Sequence, residues 1–111
     1  MNAIYGGIDL GTQGVRLSLF DAEGARKAAA ERAWPIPDVR SDLHEQDAQV
    51  WWERLLEAAD EAFASLTAIE RAAVSGLAVA STSGSLLVCD AAGRPLRPAI
   101  LYSDRRSLAE S

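Results

Sequence analysis

Apolar and polar positions alternate strictly near the start of the chain. Val15, Leu17 and Leu19 interleave with Arg16, Ser18 and Phe20, the period-2 pattern of a strand with one buried face. A second apolar run, Ile4 to Leu10, precedes it, and Gly11-Thr12-Gln13-Gly14 lies between. Two glycines in a four-residue polar segment predict a tight hairpin, with positive φ available at each glycine. Asp21-Ala22-Glu23-Gly24 is turn chemistry. Lys27 to Trp34 then reads as a third strand; its alanines suit a helix as well, but the short run, the Gly24 turn before it and Pro35 and Pro37 after it favour a strand. Pro35 to Asp47 is a loop, with His44 and Glu45 expected to face solvent.

The pattern then changes to a helical period. Ala48, Trp51, Leu55, Ala59, Ala62, Phe63 and Leu66 fall on one face, and Glu53, Glu57, Asp60 and Glu61 lie mainly on the other. Asp47 is placed to cap this helix, and Thr67 to Glu70 has capping-box spacing for a short second one. Val74 to Ala80 is nearly all apolar, the signature of a strand buried on both faces. Following a helix, it is expected to run parallel to the first strand. Ser81-Thr82-Ser83-Gly84-Ser85 forms a polar loop at its carboxyl end. Leu86 to Asp90 and Ala99 to Tyr102 read as a smaller hairpin around Ala91 to Pro95, and Asp104 is placed to cap a final helix. The order is β-β-β-α-β plus an extra β hairpin, an α/β arrangement.

At 111 residues the prior is one domain. The net charge is −5, and the eleven basic residues are scattered, which argues against nucleic acid and anionic membrane as partners. One cysteine, Cys89, excludes an intrachain disulfide; in the run Leu86 to Cys89 it reads as a small buried hydrophobe. No signal peptide or membrane span is evident, and a cytoplasmic location is expected.

The candidate chemistry starts at the first hairpin. A Gly11–Gly14 turn gathers backbone N–H groups and the Thr12 hydroxyl at one spot suited to a phosphate. Asp9 sets a carboxylate beside it, and a carboxylate next to a phosphate implies an intervening Mg²⁺. On the spacing alone, a plain structural hairpin is the commoner reading. The Walker pattern is not matched, because no Gly-Lys-Ser/Thr and no helix follow the loop. The Ser81–Gly84 loop sits where α/β sheets bind ligands, and a simple polar turn is the alternative there.

Three separated stretches carry a resemblance. Asp9-Leu10-Gly11-Thr12-Gln13-Gly14-Val15-Arg16 is similar to the first phosphate motif shared by sugar kinases, actin and heat-shock-70 ATPases. Glu45-Gln46-Asp47 with Trp51-Trp52, and the run Asp90 to Arg106, resemble in the same order the pattern of the FGGY carbohydrate kinases. The resemblance covers nearly the whole chain. It implies a ribonuclease H-like (actin-like ATPase) fold, here partial, with residues 1–111 forming the first part of a kinase N-terminal domain.

It further implies ATP-dependent phosphorylation of a sugar hydroxyl. Asp9 would hold Mg²⁺ through water, Gly11, Thr12, Gln13 and Gly14 would face the phosphates of ATP, and Arg16 would add a cation. Ser81, Thr82, Ser83, Gly84, Tyr102, Asp104 and Arg106 would serve the sugar. The loop lacks the Arg-Glu of glycerol kinases and the Met-His-Gly frequent in xylulose kinases, and its small Thr-Ser-Gly spelling leans towards a ketopentose such as xylulose or ribulose. Family members are several times longer, and the carboxylate serving as general base lies outside this chain, so the chain alone is expected to be silent. Expected partners are a small sugar and, through uncovered sheet surface, other copies of the chain, with the parent a possible homodimer. A non-catalytic binding module on the same fold and a glycerol-type kinase are the competing readings.

Overall fold

A computed structural model describes residues 2–110. The predicted strands are present: β1 (Ile4–Leu10), β2 (Gly14–Asp21) and β3 (Arg26–Ala33) form an antiparallel meander. A short strand, β4 (Glu45–Gln46), precedes the helix α1 (Ala48–Ala64) and a one-turn helix α2 (Ala68–Ala72). The chain then returns through β5 (Val74–Ser81), parallel to β1, giving the sheet order β3-β2-β1-β5.

The helix boundaries follow from capping. Asp47 accepts a hydrogen bond from the Gln49 N–H at 2.9 Å and starts α1. Thr67 and Glu70 complete the predicted capping box of α2. The amphipathic face of α1 packs across β2 and β3. Small residues meet there, Ala28 and Ala30 from the sheet and Ala58 and Ala62 from the helix, so the two layers approach closely around Val15, Leu17 and Leu19. Leu19 is 0% exposed, and burying such a side chain contributes about 1.5–3 kcal/mol.

The helix does not reach the far edge of the sheet. Leu77 and Val79 register with Gly6 and Ile8 and so share the helix-side face. They nevertheless stay 52% and 61% exposed. The apolar run of β5 therefore does not mark burial on both faces in this chain; β5 is an edge strand with nothing over it among the described residues.

The last third also departs from expectation. Leu86 to Asp90 forms no strand. Among the described residues the segment makes two isolated bridges, Leu86 with Ile100 and Cys89 with Pro95. The bridged residues are three positions apart on one side and five on the other, and Pro98 has no N–H to donate, so no continuous ladder joins the bridges. The expected strand from Ala99 to Tyr102 shrinks to β6 (Ala99–Ile100), which pairs with β4. Cys89 is exposed, because this outline of a hairpin stands clear of the core. Among the described residues no α-helix follows Asp104. Its carboxylate does accept the Arg106 N–H at 3.1 Å, but only a 3₁₀ turn, Leu108–Glu110, forms beyond it. No helix among the described residues is long and apolar enough to cross a membrane.

The glycines of the first hairpin serve a different purpose from the one expected. Positive φ occurs at Gly24, Gly84 and Gly93 but at neither Gly11 nor Gly14. A Cβ on Gly14 would collide with the carbonyl oxygen of Arg32 and approach the Ala33 Cα to 3.0 Å, so Gly14 is required where β3 passes the turn. A Cβ on Gly7 meets nothing within 4 Å. Gly14→Ala should therefore destabilise the chain by about 1–3 kcal/mol, and Gly7→Ala should stay within about 0.5 kcal/mol of wild type. Urea unfolding measures both, and equal effects would contradict the close approach.

Candidate functional site

Antiparallel pairing of β1 and β2 sets Asp9 opposite Arg16 and Leu10 opposite Val15, leaving residues 11–14 as the turn. The Gly11 N–H donates to the Gly14 carbonyl at 2.9 Å and closes it. The next two carbonyls are held from behind. The Thr12 carbonyl accepts from the Trp34 indole N–H at 3.0 Å and from the Gln46 amide at 2.8 Å, and the Gln13 carbonyl accepts from the Trp34 backbone N–H at 3.1 Å. Trp51 in turn donates its indole N–H to the Gln46 side-chain oxygen at 3.0 Å. The two indole rings lie 6.2 Å apart at 42°.

A trans peptide directs its N–H opposite to its carbonyl. Anchoring the Thr12 carbonyl into the protein thus turns the Gln13 N–H outward. Among the described residues the Thr12 and Gln13 N–H groups have no acceptor, and the exposed Asp9 carboxylate has no partner. They line an open cleft of about 580 Å³, together with Gly11, Gly14, Arg16 and Glu31 to Ala33. Arg16 stands at its rim in an exposed pair with Glu31 at 3.2 Å. Such a pair is worth little and releases readily. The Gly11 N–H, expected to face a phosphate, is engaged within the hairpin instead.

Parallel pairing brings the carboxyl end of β5 alongside. Leu10 registers with Ser81, and the Thr82 N–H donates to the Leu10 carbonyl at 3.3 Å. Ser81, Thr82 and Ser85 line a smaller cavity of about 210 Å³ with Gly11, Trp34 and Trp51. This cavity adjoins the turn, since Gly11 borders both. Gly84, at φ 78°, lies against Tyr102: a Cβ there would sit 3.3 Å from the Tyr102 Cβ. The Tyr102 N–H donates to the Ser85 hydroxyl at 3.2 Å. Ser83 and Gly84 border neither cavity.

Asp104 and Arg106 lie apart from both cavities, within a charged cluster. The Arg106 guanidinium reaches Asp104 at 2.7 and 2.9 Å and Glu45 at 2.7 Å, and Arg97 joins Glu45 at 2.6 Å. The Asp104 side chain, 5% exposed, also accepts the His44 N–H at 2.7 Å. The Arg106 guanidinium and then the backbone N–H groups of Arg106 and His44 hold the Asp104 carboxyl far below the usual carboxylate range. Arg106, and secondarily Arg97, lowers Glu45, and Asp104 and Glu45 together raise Arg106. The cluster ties the Tyr102 segment to β4. His44 is buried beneath it, not solvent-facing, with Nδ1 2.8 Å from the Ser103 hydroxyl and no partner at Nε2 among the described residues.

Sequence reasoning did not single out Gln46, Trp34 or Trp51 as supports of the turn. Gln46 and Trp51 stand within the Glu-Gln-Asp…Trp-Trp stretch that carried part of the resemblance, so a signal was present without a role attached to it.

The model of the FGGY family of carbohydrate kinases, N-terminal domain, matches residues 4–111. The chain belongs to this family. It is 34% identical over 108 residues to a xylulose kinase of Escherichia coli (strain K12), covering 96% of this chain and 22% of that protein. It is also 34% identical over 103 residues to a glycerol kinase of Gloeobacter violaceus, covering 92% and 20%. A crystal structure described as a xyloylose kinase from Brucella ovis superposes with a TM-score of 0.85 at 31% identity, covering 96% of this chain and 22% of that one. The FGGY chain thus spans about a fifth of the length of the relatives it matches, and its fold is the actin-like, ribonuclease H-like one that the hairpin implied.

The charged cluster predicts a pH dependence for this FGGY chain. The ordinary values of Asp104 and Glu45 are 3.8 and 4.5, and both are depressed in the fold. A depressed carboxyl contributes its full stabilisation above its unfolded value and loses it as acid protonates the folded group. The cluster therefore supports the fold at neutral pH and weakens as pH falls below about 4.5. Thermal unfolding should show a midpoint that falls with acidification, less steeply in Arg106→Gln. Parallel curves for the two proteins would contradict this.

Proposed function

We propose that this chain is the first part of the N-terminal domain of an ATP-dependent sugar kinase. The preferred acceptor is a ketopentose such as xylulose or ribulose. One observation carries the reading: the turn leaves the Thr12 and Gln13 N–H groups and the Asp9 carboxylate without partners in one cleft, next to a hydroxyl-lined cavity. A lone carboxylate beside unpaired N–H groups fits Mg²⁺, which keeps most of its waters and is bound through one or two carboxylates plus phosphate oxygens. It does not fit a metal held by protein alone, and no group of three ligating side chains occurs among the described residues.

In this reading the Thr12 and Gln13 N–H groups, with Gly14, orient the phosphates, and Asp9 orients the hydrated metal. Arg16 exchanges Glu31 for the transferred group. Bound Mg²⁺·ATP supplies the phosphoryl group and neutralises its charge, so this side of the site need only position and stabilise. Ser81 and Thr82 serve the sugar from the adjoining cavity, and Ser83, Gly84 and Tyr102, which do not line it, flank the sugar from beside it. Asp104 and Arg106 contribute through the cluster that holds Tyr102. No residue of this chain is assigned the general base, so the chain alone is proposed to be inactive. The glycerol kinase relative, equally identical, keeps a polyol as the second acceptor. A single free cysteine and a net charge of −5 fit the cytoplasm. The bare edge of β5 with Leu77 and Val79 exposed supports self-association of the chain.

Phosphoryl transfer from Mg²⁺·ATP to a panel of ketopentoses, ketohexoses and polyols tests the reading, using the longest product of the source gene beside this chain. Turnover by the long form, absent from this chain and reduced by at least about a thousandfold in Asp9→Ala, is expected. No turnover by either form would leave a binding module on a kinase fold.

A further inference from the structure

Gln46 contributes no atom to the cleft, yet the geometry of the cleft runs through it. Its side chain is buried in the middle of a chain of hydrogen bonds. The oxygen accepts from the Trp51 indole N–H at 3.0 Å, which fixes the amide's orientation, and the nitrogen then faces the Thr12 carbonyl at 2.8 Å and the Pro35 carbonyl at 3.4 Å. Reversing the amide would set its N–H₂ against an N–H donor and its oxygen against two carbonyls, so one orientation alone is satisfied. Trp51 belongs to α1, Pro35 follows β3, and Thr12 is the tip of the β1–β2 turn. Gln46 is where these three elements meet.

We infer that Gln46 is a positioning residue for phosphate: by donating to the Thr12 carbonyl it holds the Thr12–Gln13 peptide with its N–H directed into the cleft before any ligand arrives. The inference rests on the phosphate seat proposed above and adds the residue that sets its geometry. Without the Gln46 donor the Thr12 carbonyl retains only the Trp34 indole. The Thr12–Gln13 peptide can then rotate, and phosphate binding must supply the ordering that the fold now supplies.

Gln46→Glu gives a diagnostic readout. The ionised carboxylate still accepts from Trp51 but repels the Thr12 carbonyl; the protonated acid has a donor again. Trp51 and the Thr12 and Pro35 backbones touch the side chain and do not titrate; Glu45 and Asp47 flank it in sequence. Burial against carbonyl oxygens raises the pKa of the new carboxyl, so the defect should vanish on mild acidification. A role confined to packing would not show that reversal.

The experiment titrates magnesium pyrophosphate into this chain and into Gln46→Glu, reading backbone amide shifts at pH 8 and pH 5. In the wild type, the Thr12 and Gln13 amides should move. In the variant at pH 8, the β2 amides should stay in place while pyrophosphate binds about tenfold more weakly. At pH 5 the ratio to wild type should approach one. Equal affinities at pH 8, or a deficit unchanged at pH 5, overturn the role of Gln46. A wild-type chain whose Thr12 and Gln13 amides ignore pyrophosphate overturns the phosphate seat itself, a separate failure. Should the variant lose its β2 signals at pH 8, Gln46→Met, with similar volume and no donor, takes its place. A similar weakening at both pH values then supports the inference, and unchanged affinity sinks it.

Discussion

The carbonyl oxygen of Thr12 is the point on which the rest of the site depends. It accepts two hydrogen bonds, from the Trp34 indole and the Gln46 amide, at 3.0 and 2.8 Å. Each is worth about 1 kcal/mol net, and leaving the buried partner unsatisfied costs more. The energy is modest and the geometric consequence is larger. A four-residue hairpin tip would ordinarily sample several peptide orientations. Here the donors come from the end of β3 and from β4, and Trp51 of α1 orients Gln46, so three separate elements constrain one peptide plane. The fold is formed around the back of the turn, leaving its front open.

The same segment connects the proposed phosphate side to the proposed sugar side. His44, Glu45 and Gln46 are consecutive. His44 binds the 101–104 segment through its backbone and through the Ser103 hydroxyl. Glu45 holds Arg97 and Arg106, and Gln46 holds the turn. β4 is only two residues long, yet its alternation sends one side chain to the charged cluster and the next into the core. Tyr102 and the 81–85 loop are thereby kept in register with the hairpin, although more than sixty residues separate them from it along the chain. Two arginines against two carboxylates give a charge-balanced joint, compatible with a site in which the free charges are Asp9 and a releasable Arg16.

The local pattern made the meander, α1, both helix caps and the parallel return of β5 legible, because periodicity and capping chemistry act over a few residues. The hairpin spelling and its two companion stretches made the family legible as well. Other features depended on contacts that no local window contains. Val74 to Ala80 reads as doubly buried, but α1 spans only β2 and β3 and leaves Leu77 and Val79 bare. Leu86 to Asp90 has strand composition, and its partner segment carries two prolines. His44 looks like a loop residue until residues 101–104 fold over it. Gly14 was credited with conformational freedom when its value is the missing Cβ under Arg32. Gln46 lies 34 residues from the carbonyl it holds. In the sequence it stands beside the Asp47 cap, within a stretch that carries the resemblance, with no hint of the turn.

The anchored Thr12 carbonyl implies a turn that is fixed before any ligand binds. Hydrogen exchange of the three indole N–H groups measures this directly in the unliganded chain. Trp34 and Trp51 donate into the anchor, while Trp52 is 56% exposed with no hydrogen bond among the described residues. The indole protons of Trp34 and Trp51 should exchange only through global unfolding, at the rate of the slowest β2 amides, and that of Trp52 should exchange rapidly. A Trp34 indole proton lost as quickly as that of Trp52 would mean that the Thr12 carbonyl is not held, and the account of a preformed phosphate seat would fail.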